Sequence, residues 1–115
     1  MEPKKILTVI PMTQTQKSRL KQILPNAECL YTTISEVTRE QVQQAQIILG
    51  NVPADMIQAS ENLDWLHLDS AGYEPYVQKG VLRPHTLLTN SSGAYDKAVA
   101  EHMFAMLLSL QKKLH

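Results

Sequence analysis

Cysteine, glycine and net charge are all scarce in this sequence of 115 residues. It has a single cysteine, Cys29, four glycines and 11 basic against 11 acidic side chains, for a formal net charge of zero. One cysteine cannot form an internal disulfide, and a neutral chain lacks the basic field that holds a phosphate backbone. The amino-terminal apolar run has no small-residue cleavage site after it. The sequence therefore predicts a cytoplasmic protein that does not bind nucleic acid.

Three kinds of site or segment are also missing. No G-x-G-x-x-G occurs, so the chain carries no dinucleotide fingerprint of its own. No apolar run reaches the about 20 residues that a membrane-spanning helix needs. His67 and Asp69 alternate along one predicted strand and could share a metal, but a metal site needs at least one further ligand. We therefore expect neither a membrane span nor a metal site.

The sequence does contain a regular alternation of apolar strands and amphipathic helices. Hydrophobic residues make up 43% of the chain, enough for one globular domain with a core. Apolar runs predict five strands, over residues 6–10, 29–32, 47–49, 65–68 and 86–89. Capping-box spacings at Thr13 and Thr38, together with Pro53, start three helices, and a short helix is predicted over 74–79. Strands that alternate with helices predict an α/β fold with a doubly wound parallel sheet.

Residues 96–115 have a different pattern from the rest of the chain. Asp96 is a candidate N-cap, and the residues after it are apolar on nearly every face of a helix. One face of a sheet cannot cover such a helix, so we expect another protein surface to cover it. No Gly, Asn or Pro ends this helix before His115, which indicates a fragment of a longer protein.

Two turns follow the fourth and fifth predicted strands. Ser70-Ala71-Gly72 has little side-chain bulk, so its backbone N–H groups can converge on a carboxylate, but the spacing alone favours a plain tight turn between strand and helix. The segment 89–96 should reach the same edge of the sheet, where ligands of open α/β sheets bind. The pattern of that segment alone favours a connector that ends in a helix cap.

Three blocks, in this order, resemble the D-isomer-specific 2-hydroxyacid dehydrogenases: Asn62-Leu63-Asp64-Trp65-Leu66-His67-Leu68-Asp69-Ser70-Ala71-Gly72, Leu88-Thr89-Asn90-Ser91-Ser92-Gly93 and Ala98-Val99-Ala100-Glu101-His102. The resemblance implies an incomplete, flavodoxin-like substrate domain over residues 1–95. It also implies a helix over 96–115 that leads toward an NAD-binding domain outside these residues and joins two subunits as a homodimer. The substrate would be a small 2-oxo or 2-hydroxy acid.

For the substrate site, the resemblance implies a role for each residue of the first turn. The backbone amides of Ala71 and Gly72 would bind the substrate carboxylate, and Ser70 and Tyr73 would border its side chain. Tyr95 occupies a position where several relatives have asparagine near the substrate and the nicotinamide. This departure leaves the identity of the substrate open.

For the cofactor, NAD or NADP, the resemblance implies that Lys97 and Val99 approach the nicotinamide. The family's phosphate loop, substrate-binding arginine and catalytic histidine would all lie beyond such a helix. We therefore expect no catalytic residue within the chain, and no activity from the chain alone.

Other classes of protein stay open at this point. A phosphoacceptor receiver would need acidic residues after the first and third strands, where Pro11-Met12 and Gly50-Asn51 stand. A flavin module would want a glycine in the loop after the first strand, and Thr13-Gln14-Thr15-Gln16 has none. A non-catalytic, corepressor-type relative of the dehydrogenases is a third possibility.

Overall fold

A computed structural model describes residues 4–69 and 72–90 of the chain. In chain order, the elements within this part are β1 Lys5–Thr8, α1 Gln14–Ile23, β2 Glu28–Tyr31, α2 Arg39–Gln44, β3 Ile47–Leu49, α3 Ala54–Ile57, β4 Trp65–His67, a 3₁₀ helix Glu74–Tyr76 and β5 Leu87–Thr89. All five predicted strands are present, with ends that differ from the prediction by two residues at most. No helix within this part is long and apolar enough to cross a membrane.

The five strands form one sheet in the order β2-β1-β3-β4-β5, and every neighbouring pair is parallel. At the centre, Ile6 of β1 pairs with Cys29 on one side and with Ile47 on the other. This strand order is that of flavodoxin-like doubly wound sheets. The predicted α/β class and the parallel sheet are therefore confirmed. The predicted boundary at residue 95 and the apolar helix over 96–115 lie outside the described residues.

The sheet has an apolar core on each face, because successive side chains of a strand point to opposite faces. Leu7 belongs to the core that includes Val42 of α2 and Ile57 of α3. Its neighbour Ile6 belongs to the other core, which includes Leu20 of α1. Coverage on both faces explains why the strands are apolar runs rather than alternating ones.

The first two helices begin at the predicted capping boxes. Thr13 Oγ1 accepts the backbone N–H of Gln16 at 3.1 Å, and Gln16 Oε1 accepts the N–H of Thr13 at 2.9 Å. Thr38 and Gln41 form the same pair of hydrogen bonds at 3.2 and 3.0 Å. In α3, Pro53 is the residue before the first helical position. The two capping boxes satisfy backbone donors that α1 and α2 leave unpaired, whereas Pro53 makes no side-chain capping hydrogen bond.

The prediction of a helix over 74–79 is wrong in its length, since only the 3₁₀ helix Glu74–Tyr76 forms. The side-chain amide of Gln78 donates to the carbonyl of Glu74 at 3.2 Å, and so takes an acceptor that an α-helix would offer to the backbone of Gln78. The backbone N–H of Tyr76 donates to Tyr73 at 3.0 Å in the tighter pattern.

Candidate functional site

The candidate site lies at the edge of the sheet where the connections after β3, β4 and β5 meet. The backbone N–H of Gly50, after β3, donates to the carbonyl of His67 at 2.8 Å. On the other side, the N–H of Leu68 donates to the carbonyl of Thr89 at 2.9 Å. The connection after β4 therefore runs between the other two, as the parallel pairing of the strands predicts.

The β3 connection passes directly against the end of β1, and this close approach requires glycine. Gly50 has a φ of +120°, and a Cβ there would lie 2.4 Å from Val9 Cγ2 and 3.1 Å from Ile10 Cγ1. In doubly wound sheets with this strand order, ligands commonly bind where β1 and β3 diverge. Here Val9 and Ile10 fill the space at Gly50, so the β4 connection is the better candidate.

Two side-chain contacts attach the β4 connection to the β3 connection. Asn51 Oδ1 accepts the backbone N–H of Asp69 at 2.9 Å, and the Tyr76 hydroxyl donates to the carbonyl of Val52 at 2.9 Å. Burial raises the pKa of Tyr76, and the negative charge of Asp69 raises it further. The Tyr76 hydroxyl therefore stays protonated and remains a hydrogen-bond donor at neutral pH.

Gly72 and Tyr73 are exposed at this edge, and Tyr73 keeps 48% of its surface accessible. The nearest atom to a Cβ built on Gly72 is Glu74 Oε2 at 3.5 Å, which is ordinary van der Waals contact. The same carboxylate oxygen accepts the backbone N–H of Tyr73 at 3.0 Å. Packing within the described residues therefore does not require glycine at position 72.

The charge beside this turn is negative. Residues 67–69 and 72–76 contain two carboxylates, Asp69 and Glu74, and no lysine or arginine. A ligand carboxylate close to them would meet repulsion of about 1 kcal/mol or more per charge at short range, depending on the local dielectric constant. Tight binding of an anion here needs a cation from another part of the protein.

The structure describes only two of the site residues predicted from the sequence. Gly72 and Tyr73 are described, and both lie exposed at the carboxyl edge of the sheet. The other predicted residues lie outside the described part of the chain: Ser70, Ala71, Tyr95, Lys97 and Val99.

His67 and Asp69, considered above as a metal pair, have different surroundings. His67 is fully buried, with its Nδ1 2.7 Å from the hydroxyl oxygen of Thr89, whereas Asp69 is exposed beyond the end of β4. Across residues 4–69 and 72–90, no three histidine, cysteine or acidic side chains group as metal ligands would.

Two features of this edge were not anticipated from the sequence. One is the contact of Asn51 with Asp69, and the other is the hydroxyl of Thr89, which also accepts the indole N–H of Trp65 at 2.8 Å. The contact of Thr89 with His67 could have been predicted from strand pairing, because the two residues are paired on neighbouring strands. The order of the strands had to be known before that pairing could be used.

Two of the cavities among the described residues lie around α1 and β2. One, of about 370 Å³, includes Cys29 and Lys21, and another, of about 380 Å³, includes Thr32 and Glu36. Both are lined by Lys17 and Tyr31, and the Lys17 ammonium lies 4.6 Å from the centre of the Tyr31 ring. Neither cavity is lined by a residue of the β4 connection, so the candidate site there rests on the exposure of Gly72 and Tyr73.

Comparison with known proteins gives a likeness in fold. No family model matches the chain, and no curated protein matches it. A solved structure of phosphoglycerate dehydrogenase from Lactobacillus plantarum has a TM-score of 0.59 at 21% identity, covering 96% of this chain and 36% of that one. A flavodoxin from the domain Archaea has a TM-score of 0.40 at 13% identity, covering 96% and 97%, and we draw nothing from it. The chain thus has the fold of a part, about a third in length, of a dehydrogenase.

Proposed function

We propose that the chain is the amino-terminal part of an NAD(P)-dependent oxidoreductase that reduces 2-oxo acids to D-2-hydroxy acids. The observation that carries the proposal is the position of the sequence block 62–72. It runs through β4, and Gly72, its last residue, is exposed beyond the carboxyl end of that strand, where ligands of such sheets bind. The second block, 88–93, begins on β5 beside it. The likeness in fold to a phosphoglycerate dehydrogenase supports the same conclusion.

In this proposal the turn binds the carboxylate of the substrate. The backbone amides of Ala71 and Gly72 donate to it, since a carboxylate is a strong acceptor and glycine lets it approach the backbone. Ser70 and Tyr73 border the rest of the substrate, and Tyr95 contributes from the connection after β5. The missing positive charge comes from a residue outside the chain, which agrees with the two carboxylates beside the turn.

The cofactor, NAD or NADP, is held by residues outside these 115. The chain has no G-x-G-x-x-G, so its own residues do not form a dinucleotide site. A nicotinamide supplies the hydride when it is bound, and Lys97 and Val99 would lie on its side of the cleft. The chain alone is therefore inactive in this proposal.

The assembly that we propose is a homodimer formed through residues 96–115, in the cytoplasm. A helix that is apolar on all sides needs a second protein surface. A flavin or phosphoacceptor module is not favoured, because the β1 and β3 connections are in contact at Gly50 and no acidic residue directly follows either strand.

The proposal is tested on the protein encoded by the complete reading frame that contains these residues. We expect NADH- or NADPH-dependent reduction of some members of a panel of 2-oxo acids, with D products by chiral chromatography. Gly72→Val should raise KM and lower kcat, since a branched Cβ blocks access to the backbone, and Gly72→Ala should have a smaller effect. Unchanged kinetics in folded Gly72→Val would exclude this turn from the site.

The 115-residue chain serves as the negative control. It should show no reductase activity and no binding of NADH in calorimetric titration. A micromolar dissociation constant for NADH would contradict the proposal that residues outside these 115 hold the cofactor.

A further inference from the structure

The cavity of about 370 Å³ between α1 and β2 has a basic wall. Lys17 and Lys21 lie about one helical turn apart on α1, and both line the cavity. None of the described residues that line it is acidic. Like charges four positions apart repel each other on a helix, so an anion bound between these two lysines would relieve that repulsion.

No carboxylate of the described residues neutralises either lysine. Three ion pairs in this part of the chain use other basic residues, namely Lys4 with Asp64, Arg39 with Asp55 and Arg83 with Glu61. The helix α1 contains Lys17, Arg19 and Lys21 and no acidic residue. The cavity is therefore a region of positive charge in a chain whose formal net charge is zero.

The opposite wall of the cavity, on β2, interacts with both lysines. The Lys17 ammonium lies 4.6 Å from the centre of the Tyr31 ring, which is a cation–π contact. Burial raises the pKa of the Cys29 thiol, and a hydrogen bond from Tyr31 and the charge of Lys21 partly offset this effect. Glu28 faces the other side of the sheet from Cys29 and Tyr31, because side chains alternate along a strand. Both positive charges thus act over the face of β2 that has no carboxylate.

The rest of the cavity determines what kind of anion fits. Leu24 and Ala27 line it, and both are apolar and packed against the core on this face of the sheet. Its volume lies within the range of small-molecule sites. The adjoining cavity shares Lys17 and Tyr31 but includes the carboxylate of Glu36, which repels an anion. A ligand therefore needs a charged group at the end away from Glu36 and an apolar group beside it.

We propose that this groove binds a phosphate monoester, with the phosphate between Lys17 and Lys21 and a small apolar group against Leu24 and Ala27. A phosphate monoester carries close to two negative charges at neutral pH and so matches two ammonium groups, whereas a carboxylate carries one. No residue of the β4 connection lines the groove, so the site is independent of the proposed function.

The test is an NMR titration of the ¹⁵N-labelled 115-residue chain at physiological ionic strength, with phenyl phosphate as the probe. We expect the amide signals of Lys17, Lys21 and Tyr31 to shift with a dissociation constant of about 1 mM. Inorganic phosphate, which lacks the apolar group, should shift the same signals with weaker binding. Phenylacetate, which has the ring and a single negative charge, should also bind more weakly.

Three variants of α1 separate a site from a general attraction to a basic helix. Lys17→Gln and Lys21→Gln should each weaken the binding of phenyl phosphate about threefold to fivefold. Arg19→Gln removes the same charge from the same helix at a position that does not line the cavity, and it should leave the affinity unchanged. Lys21 is exposed, so Lys21→Gln decides the result if Lys17→Gln disturbs the fold.

Several results would overturn the proposal. One is the absence of shifts at Lys17, Lys21 and Tyr31 with phenyl phosphate. Another is a loss of affinity in Arg19→Gln as large as that in Lys21→Gln, which would indicate a non-specific attraction. Equal affinity for phenylacetate would contradict the match of two charges, and equal affinity for inorganic phosphate would contradict the role of Leu24 and Ala27.

Discussion

Thr89 of β5 holds the imidazole of His67 on β4, with the Thr89 hydroxyl oxygen 2.7 Å from His67 Nδ1. The same oxygen accepts the indole N–H of Trp65 at 2.8 Å. Because an indole nitrogen only donates, the hydroxyl proton of Thr89 is available to Nδ1. Trp65 and His67 are fully buried, so water cannot replace these contacts. One hydroxyl of a strand at the edge of the described sheet thus serves two side chains of the core.

We predict that Thr89→Val lowers the free energy of unfolding by about 2–4 kcal/mol, since it leaves the Trp65 donor and a polar atom of His67 without this partner in the core. Thr89→Ser keeps the hydroxyl and should retain most of the stability. Urea unfolding followed by Trp65 fluorescence measures both variants. Equal stability of Thr89→Val and the wild-type chain would mean that the hydroxyl is not needed by either ring.

Thr8, in contrast to Thr89, has a hydroxyl whose removal should stabilise the fold. Its side chain is 1% exposed, and its Oγ1 is the buried side-chain atom within the described residues that has no hydrogen-bond partner. Replacing an unpaired buried hydroxyl by a methyl group of similar shape removes a desolvation cost, so Thr8→Val should stabilise the chain by about 1 kcal/mol. Thr8→Ser, which keeps the hydroxyl and loses the methyl, should destabilise it. A lower urea midpoint for Thr8→Val would show that the hydroxyl has a partner after all.

Two glycines at the same edge should respond differently to alanine. Gly50→Ala places a methyl group 2.4 Å from Val9 Cγ2 at a φ of +120°, so we expect a loss of about 3 kcal/mol or more from strain and overlap. Gly72→Ala meets only ordinary contact and should cost less than about 1 kcal/mol. Thermal unfolding compares the two. A larger loss at Gly72 would contradict the geometry of both connections.

Cys29 should be a slow nucleophile in the folded chain. Burial raises the pKa of its thiol, while a hydrogen bond from Tyr31 and the charge of Lys21 lower it without cancelling the effect. A raised pKa leaves less thiolate near pH 8, so iodoacetamide should react more slowly with the folded chain than with the chain in urea. Folding favours the thiol, and its contribution to stability is therefore lost as the pH rises through the folded pKa. Lys21→Gln should slow the reaction further; a faster reaction would contradict the assignment.

Residues 96–115 should drive self-association of the isolated chain. Burial of each large apolar side chain is worth about 1.5–3 kcal/mol, so the several that the sequence predicts on one helix of this segment would strongly favour a partner. Static light scattering should give a mass above that of the 13.0 kDa monomer, and Met106→Glu with Leu110→Glu should reduce it. Leu30→Glu, which alters an exposed leucine of β2, is the control and should not change the mass. A monomer before substitution would contradict the proposed dimer.

Local chemistry explains which features could be predicted from the sequence. A capping box such as that of Thr13 needs only residues three apart, and a run such as residues 47–49 is apolar whatever packs on it. A short motif likewise predicts the site after β4, and of its residues Gly72 and Tyr73 are described and exposed, while their role in binding stays a prediction. The helix predicted over 74–79 is shortened to the 3₁₀ helix Glu74–Tyr76, where the side chain of Gln78 takes the carbonyl of Glu74, a contact that helical periodicity does not predict.

The sequence by itself thus determined the strands, the capped helix starts and their alternation, because each depends on residues within a few positions of one another. Only the tertiary structure decided that Asn51 meets Asp69, that Thr89 serves both Trp65 and His67, and that Gly50 lies against Val9. These contacts join residues 18 to 41 positions apart, and they follow from the strand order β2-β1-β3-β4-β5. Local patterns do not encode that order, because it depends on how the two faces of the sheet are covered.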